Sequence, residues 1–227
     1  MVAPELSFDV GMHGKVSGAI HRATGPRARA TLVLAHGAGA PRTHPFMTSM
    51  AARIADKGVH VVTFNFLYAE AGRKLPDRVE LLEATWRAAI ASVRAHEELP
   101  TERLFIGGKS MGGRIATHLA AAEERRVLAG VVLLGYPLHP IKKPEVVRDE
   151  ILKVKLPVLV VQGTRDELGT AAEVKELLAA QRRARVHVVE EGDHSLALPK
   201  RLGAERQEEV LDRVASAIAA FASGRRR

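Results

Sequence analysis

The segment Phe105-Ile106-Gly107-Gly108-Lys109-Ser110-Met111-Gly112-Gly113-Arg114 decides the fold. An apolar run stops at a serine boxed in by glycines, with a lysine immediately before it. Gly108 to Gly112 reads G-x-S-x-G between a strand pattern and a helix pattern, the context that gives this spacing its meaning. A sharp strand-to-helix turn strains the serine backbone, and side chains at the flanking positions would strike the neighbouring strand and helix. Such a turn lifts the hydroxyl over the sheet edge and leaves it at a helix N-terminus, where free N–H groups favour developing negative charge.

Outward from this turn the chain alternates between two patterns. Near-continuous apolar runs predict strands over Ala30 to Ala35, His60 to Phe66, Leu104 to Gly107, Gly130 to Gly135, Pro157 to Gln162 and Val186 to Val189. Runs that are apolar on both faces suit a parallel sheet covered by helices on either side. Two further strands are expected over Leu6 to Val10 and Val16 to His21, joined by the turn-like Gly11 to Gly14 and followed by a break at Gly25-Pro26. Between the strands, Val79, Leu82, Trp86, Ile90 and Val93 make one stripe of a 3.6-residue period, predicting a helix over Asp77 to Glu97. Val210, Val214, Ile218 and Phe221 predict another over Ala204 to Ala222, and helices are also expected over Pro45 to Lys57, Met111 to Glu124 and Ala171 to Gln181. The expected architecture is one α/β domain over residues 1–227: a mostly parallel central sheet flanked by helices on both faces. The segment from Gly135 to Leu156, broken by Pro137, Pro140 and Pro144, leaves room for a minimal lid or none.

Composition narrows the chemistry. At 227 residues with 46% hydrophobic and 26% charged, the chain is an ordinary globular sequence. It has no cysteine, so its nucleophile must be oxygen or nitrogen. The ten histidines lack the spacing of a metal site, and no metal or cofactor is expected. No apolar run approaches the roughly 18 residues needed to span a bilayer, and "MVAPELSFDV" carries no secretory pattern, so a cytoplasmic protein without membrane association is expected. The net charge of +8 falls in short clusters such as Gln181 to Arg185 and the Arg225 to Arg227 tail. With aromatics at only 4%, these clusters read as solvated surface and no nucleic-acid partner is expected.

A hydroxyl is a poor nucleophile near neutral pH and needs a base, and the base needs an acid to orient it. In this topology both should follow the serine, acid first. Val160 to Asp166 is an apolar strand ending in a glycine turn with a carboxylate beyond it, and Glu190 to Ser195 sets a histidine after the last strand. These choose Asp166 and His194 as partners of Ser110. Asp193, adjacent to the histidine, and Glu167 stay open as alternatives for the acid. Leu34 to Pro41 runs a strand into the glycine-rich loop His36-Gly37-Ala38-Gly39, where backbone can approach a tetrahedral oxyanion. The Ala38 and Met111 amides are the expected donors. The same loop's G-x-G lacks the third glycine of a dinucleotide site, and no acidic residue ends the next strand.

The ordered set "HGAGAP", "GGKSMGGR", "QGTRD" and "GDHS" resembles the α/β-hydrolase superfamily over about Ala30 to Phe221. With Phe64 to Tyr68, Gly72 to Arg78 and Tyr136 to Pro140 added, it is similar to the small lidless branch of dienelactone-hydrolase-like and testis-expressed-protein-like hydrolases. The resemblance implies Ser110 as nucleophile, Asp166 and His194 as its partners, and Ala38 and Met111 at the oxyanion. Serine stands where true dienelactone hydrolases use cysteine, which separates the chain from that substrate. The expected activity is that of a carboxylesterase-like serine hydrolase acting on a small ester or thioester through an acyl-enzyme. The alternative is a scaffold of the same fold that binds a small ligand or protein partner without turnover. Arg42, His44, Tyr68, Arg73, Tyr136 and His139 fall on loops around the serine and would suit a carboxylate- or phosphate-bearing ester, unless Arg73, Asp77 and Arg78 form a structural ion-pair cluster. Lys109 is expected to point away from the serine, its stem packed and its ammonium held by a carboxylate or carbonyls; the alternative is that its charge depresses nearby pKa values or attracts an anionic substrate. The sequence leaves the oligomeric state open.

Overall fold

The computed structural model describes residues 5–24, 29–122 and 127–224. The Gly25-Pro26 break, the expected helix end at Glu124 and the Arg225 to Arg227 tail lie outside them. Eight strands form one sheet: β1 (Glu5–Asp9), β2 (Lys15–His21), β3 (Thr31–Ala35), β4 (His60–Phe64), β5 (Leu104–Lys109), β6 (Gly130–Leu134), β7 (Val158–Gly163) and β8 (Ala184–Val189). Their order across the sheet is β1-β2-β4-β3-β5-β6-β7-β8. β1 pairs β2 and β2 pairs β4 antiparallel, and every other neighbouring pair is parallel.

The helices are α1 (Pro45–Asp56), α2 (Leu67–Glu70), α3 (Val79–Arg94), α4 (Met111–Ala122), α5 (Ala171–Leu177) and α6 (Gly203–Ser223). The doubly apolar strands have the expected consequence. In β3, Leu32 and Leu34 face one core while Val33 and Ala35 face the other, and Val131 and Leu133 oppose Val132 and Leu134 in β6. One core takes Met47, Met50 and Ile54 of α1 with Val214 and Ile218 of α6. The other takes Trp86 and Ile90 of α3, Ile115 and Leu119 of α4 and Val174 of α5. Each helix therefore buries one stripe against one sheet face.

The segments that follow β4 and β6 bear on the site. β4 ends at Phe64, two residues short of the expected strand end at Phe66, and the short α2 follows from Leu67, its Tyr68 amide donating to Asp77 at 2.9 Å. As expected, the segment from Gly135 to Leu156 holds only one short helical turn, Glu150–Lys153, and among the described residues no lid covers the sheet. Strand order reverses beside β3, whose neighbours β4 and β5 lead away in opposite directions. In open α/β sheets, the carboxyl end of the strands at such a reversal is where a crevice opens. Among the described residues, no helix is long and apolar enough to cross a membrane.

Candidate active site

At the carboxyl end of β5 the backbone turns at Ser110, which has φ 49°, a left-handed conformation unusual for a residue with a Cβ. The turn is tight enough to explain its glycines by contact. A Cβ on Gly108 would lie 2.6 Å from the Ala35 carbonyl, and one on Gly112 would lie 2.4 Å from the His36 carbonyl. A Cβ on Gly113 would strike the Gly108 carbonyl at 2.6 Å, and one on Gly107 the Val132 carbonyl at 1.9 Å. The elbow is pinned by the Ser110 amide donating to Leu134 O at 3.0 Å and by the Trp86 indole donating to Gly112 O at 3.3 Å.

The Ser110 hydroxyl lies 2.8 Å from His194 Nε2. On the other side of the ring, Nδ1 lies 2.9 and 3.0 Å from the two Asp166 carboxylate oxygens. A carboxylate only accepts, so Nδ1 carries the proton and Nε2 is left to accept from serine. Asp166 is buried, whereas the His194 side chain remains one-quarter exposed. The loops bearing the two residues meet back to back at Gly163, where a Cβ would lie 2.1 Å from Gly192 O. Glu191 and Leu196, at φ 57° and 59°, bracket the histidine and hold its loop in a narrow bend.

The other carboxylates have different tasks. Asp193 Oδ1 accepts the Ser195 and Ala197 amides at 2.7 and 2.9 Å, folding the histidine loop, and Glu167 is exposed. Asp166 itself is held by the Leu168 amide at 2.8 Å and by Gln162 Nε2 at 2.9 Å. Gln162 was not singled out in the sequence. It is fully buried in β7, accepts the Tyr136 amide at 2.8 Å and also reaches the Tyr136 and Gly169 carbonyls. The available signal was one amide side chain in the otherwise apolar Val158-Leu159-Val160-Val161-Gln162.

A second unassigned residue shapes the glycine-rich loop. His36 is buried; burial pushes its pKa down to about 4, partly offset by its bond to Gly37. Nε2 accepts the Phe66 amide at 3.1 Å, which places the proton on Nδ1, 2.8 Å from Gly37 O. The same carbonyl accepts the Tyr68 hydroxyl at 3.2 Å. A trans peptide sets its N–H opposite its C=O, so two donors on Gly37 O turn the Ala38 N–H the other way. Gly37 packs against the elbow, since a Cβ there would lie 3.5 Å from that of Ser110. Met111 opens α4, and among the described residues neither the Ala38 nor the Met111 amide has an acceptor.

The residues expected at the substrate rim have partners of their own. Arg42 is drawn back by Ser17 and Glu5, and its amide donates to Asn65. Arg73 pairs with Asp77 at 2.6 Å, and Tyr68 is buried under the loop. His44 caps α1 by accepting the Phe46 amide, while buried His139 lies against the Pro140 carbonyl with Nε2 3.5 Å from Glu173. Tyr136 is buried as well. Arg42, His44, Arg73 and His139 each have a partner within the protein, while the Arg73 side chain stays about half exposed at 53%. The cations on which an anionic ester was expected therefore also have partners within the protein.

Lys109 is likewise buried, its stem against Gly37 and its ammonium beside Gly135, where a Cβ would lie 3.1 Å from Nζ and 2.6 Å from His194 O. Burial pulls its pKa down to about 8, against the opposing attraction of Asp166 and Asp193. Among the described residues its ammonium has neither a carboxylate within 4.0 Å nor a hydrogen-bonded carbonyl, the two partners expected for it, and the attraction of Asp166 and Asp193 acts over a longer range.

Residues 28–223 match a family described as an alpha/beta hydrolase domain. The quorum-quenching protein AidA of Acinetobacter baumannii is 33% identical over 136 residues, which cover 57% of this chain and 43% of that relative. The match thus spans less than half the length of that relative. A lidless α/β serine hydrolase from Xanthomonas campestris superimposes with a TM-score of 0.74 at 19% identity, covering 99% of this chain and 95% of the other. A dienelactone hydrolase from Anabaena variabilis gives 0.75 at 19% identity, covering 100% of both chains. Those structures share its fold, and the family match across residues 28–223 makes the chain a member of the α/β-hydrolase family.

Proposed function

We propose that the protein is a serine hydrolase that cleaves a small carboxylic ester or thioester through an acyl-enzyme on Ser110, with no cofactor. The observation that carries this reading is the unbroken relay from Asp166 through both nitrogens of His194 to a hydroxyl held on a strained elbow. Ser110 Oγ attacks the carbonyl carbon as its proton passes to His194 Nε2. Asp166 keeps Nδ1 protonated and stabilises the imidazolium. The Ala38 and Met111 amides receive the developing oxyanion. Collapse expels the alcohol or thiol, which takes the proton from His194, and a water activated by the same nitrogen then releases the acid and restores Ser110.

The engaged rim favours short, uncharged acyl groups over anionic ones, since Arg42 and Arg73 already neutralise carboxylates. A fluorophosphonate probe should add its phosphonyl mass to Ser110 in the native chain and leave Ser110→Ala unlabelled. Absence of labelling alongside a reactive control hydrolase would return the chain to the scaffold reading. Short neutral p-nitrophenyl esters should then turn over faster than succinyl or phosphate-bearing ones.

A further inference from the structure

The opposite end of the parallel strands brings together residues far apart in the sequence. Arg103, just before β5, and Arg182, Arg183 and Arg185, around the start of β8, line one concavity of about 330 Å³, with Phe105 and Phe221 in its apolar wall. Two of these arginines are already oriented. Arg103 donates from Nε to Ala222 O at 3.0 Å, near the end of α6, and its guanidinium sits 5.9 Å from the Phe105 ring centre. Arg183 donates to Lys155 O at 3.0 Å. The side chains of Arg182 and Arg185 have no hydrogen-bond partner among the described residues, and none of the four guanidiniums lies within 4.0 Å of a described carboxylate.

Four guanidiniums around one hollow repel each other, and elsewhere on this molecule arginines are commonly paired, as Arg53 is with Glu208 and Arg114 with Glu150. A guanidinium offers a planar fork of donors that fits phosphate oxygens two at a time. Orientation by backbone carbonyls leaves the remaining donors of Arg103 and Arg183 for such an anion. The volume falls at the lower end of small-molecule pockets, roughly 300–1,000 Å³. A concavity of this size suits a compact ligand better than a polymer that needs a continuing groove.

We propose that this concavity binds a small organic anion carrying two or more phosphate groups, with Arg182 and Arg185 as its principal free donors. Phe105 and Ser110 stand five residues apart along β5, about 16 Å at strand rise. The ligand is therefore distinct from the acyl substrate, and the site does not depend on the proposed hydrolysis.

The test is isothermal titration of the full chain with inorganic pyrophosphate and with ADP, near physiological ionic strength. Saturable binding of both is expected. Arg182→Ala with Arg185→Ala should weaken it about tenfold or more, by loss of charge-assisted bonds. The control Arg87→Ala with Arg94→Ala removes the same charge from exposed positions on α3 and should change it by less than about twofold. Both arginines of the test pair are exposed, and thermal melting and Ser110 labelling verify that the variant is folded. Equal weakening in the control pair, or no saturable binding of either anion by the native chain, would overturn the proposal. So would a single-stranded oligonucleotide that binds more tightly than both anions and loses its affinity in the same variant.

Discussion

Two polar clusters frame the crevice side of the sheet, and they are built to opposite ends. Around Glu70, Oε2 accepts the Ser17 amide at 3.0 Å, the Ser17 hydroxyl at 2.8 Å and the Asn65 side chain at 3.0 Å, while Asn65 Oδ1 accepts the Arg42 amide at 2.8 Å. Each group there is answered, and none of these residues has a left-handed backbone. Around Ser110, among the described residues, the hydroxyl has one partner, His194, and two nearby amides have no acceptor, while the backbone is held at φ 49°. Both clusters contain a serine, a carboxylate and a basic side chain. Residue type alone therefore does not separate them; stored strain and unanswered donors do.

The strongest way to break the contrast is Ser110→Gly. It removes the nucleophile and relaxes the elbow together. Ester turnover should fall by roughly 10⁴-fold or more, while relief of the left-handed strain should raise stability by about 1 kcal/mol. Activity assays and urea unfolding measure the two. An active variant would dismiss the relay as the catalytic device. Gln162→Leu comes next, because it strips one donor from Asp166 and leaves the Tyr136 amide without its acceptor. Misalignment of the acid should lower kcat by roughly 10- to 100-fold, with about 1–3 kcal/mol lost in stability. Unchanged kcat in the folded fraction would assign Gln162 to packing alone.

How far these features could be read in advance follows from their range. The doubly apolar strands and the period of α3 are local patterns, so the layers of the fold were visible in the sequence. Ser110, Asp166 and His194 were legible for a related reason: each sits just beyond a strand, and parallel strands bring their carboxyl ends to one edge. Gln162 and His36 were not, because their work consists of hydrogen bonds to residues distant in the chain, such as Tyr136 and Phe66. The partners of Arg42 were hidden for the same reason. Its loop position was right, but Glu5 and Ser17, on β1 and β2, decide where its guanidinium points. Glycine was more informative than charge, since a missing Cβ records a close backbone approach wherever it occurs.

Lys109→Met sharpens the comparison from inside the site. The folded amine titrates at about 8, below its ordinary 10.5, with burial as the dominant cause. Between those values the unfolded chain binds more protons than the folded one, so stability rises with pH across the window. The full rise from this residue is about 3 kcal/mol at most. Methionine keeps a similar stem and removes the charge, so the variant should lose that slope and be more stable than the native chain near neutrality. Chemical denaturation at several pH values between 7 and 11 reads it directly. Turnover of a neutral ester should hold in the folded protein; a fall in kcat with the slope unchanged would place the ammonium in the chemistry.

Glu70→Gln tests the answered cluster and carries the smallest effect. Burial raises the Glu70 pKa, but bonds from Ser17 and Asn65 outweigh it and the net shift is downward. The stabilisation is present above the ordinary carboxylate range and is lost as pH falls through the lowered value. Glu70 is exposed, so water screens most of the charge and the neutral variant should lose only about 1 kcal/mol at neutral pH. The native chain and the variant should converge in acid. Ester turnover and Ser110 labelling should not move, because no atom of this cluster reaches the relay through a hydrogen bond. If turnover falls with stability intact, the two clusters are coupled through Asn65 and Arg42, and the saturated one is then part of the device that holds the glycine-rich loop over Ser110.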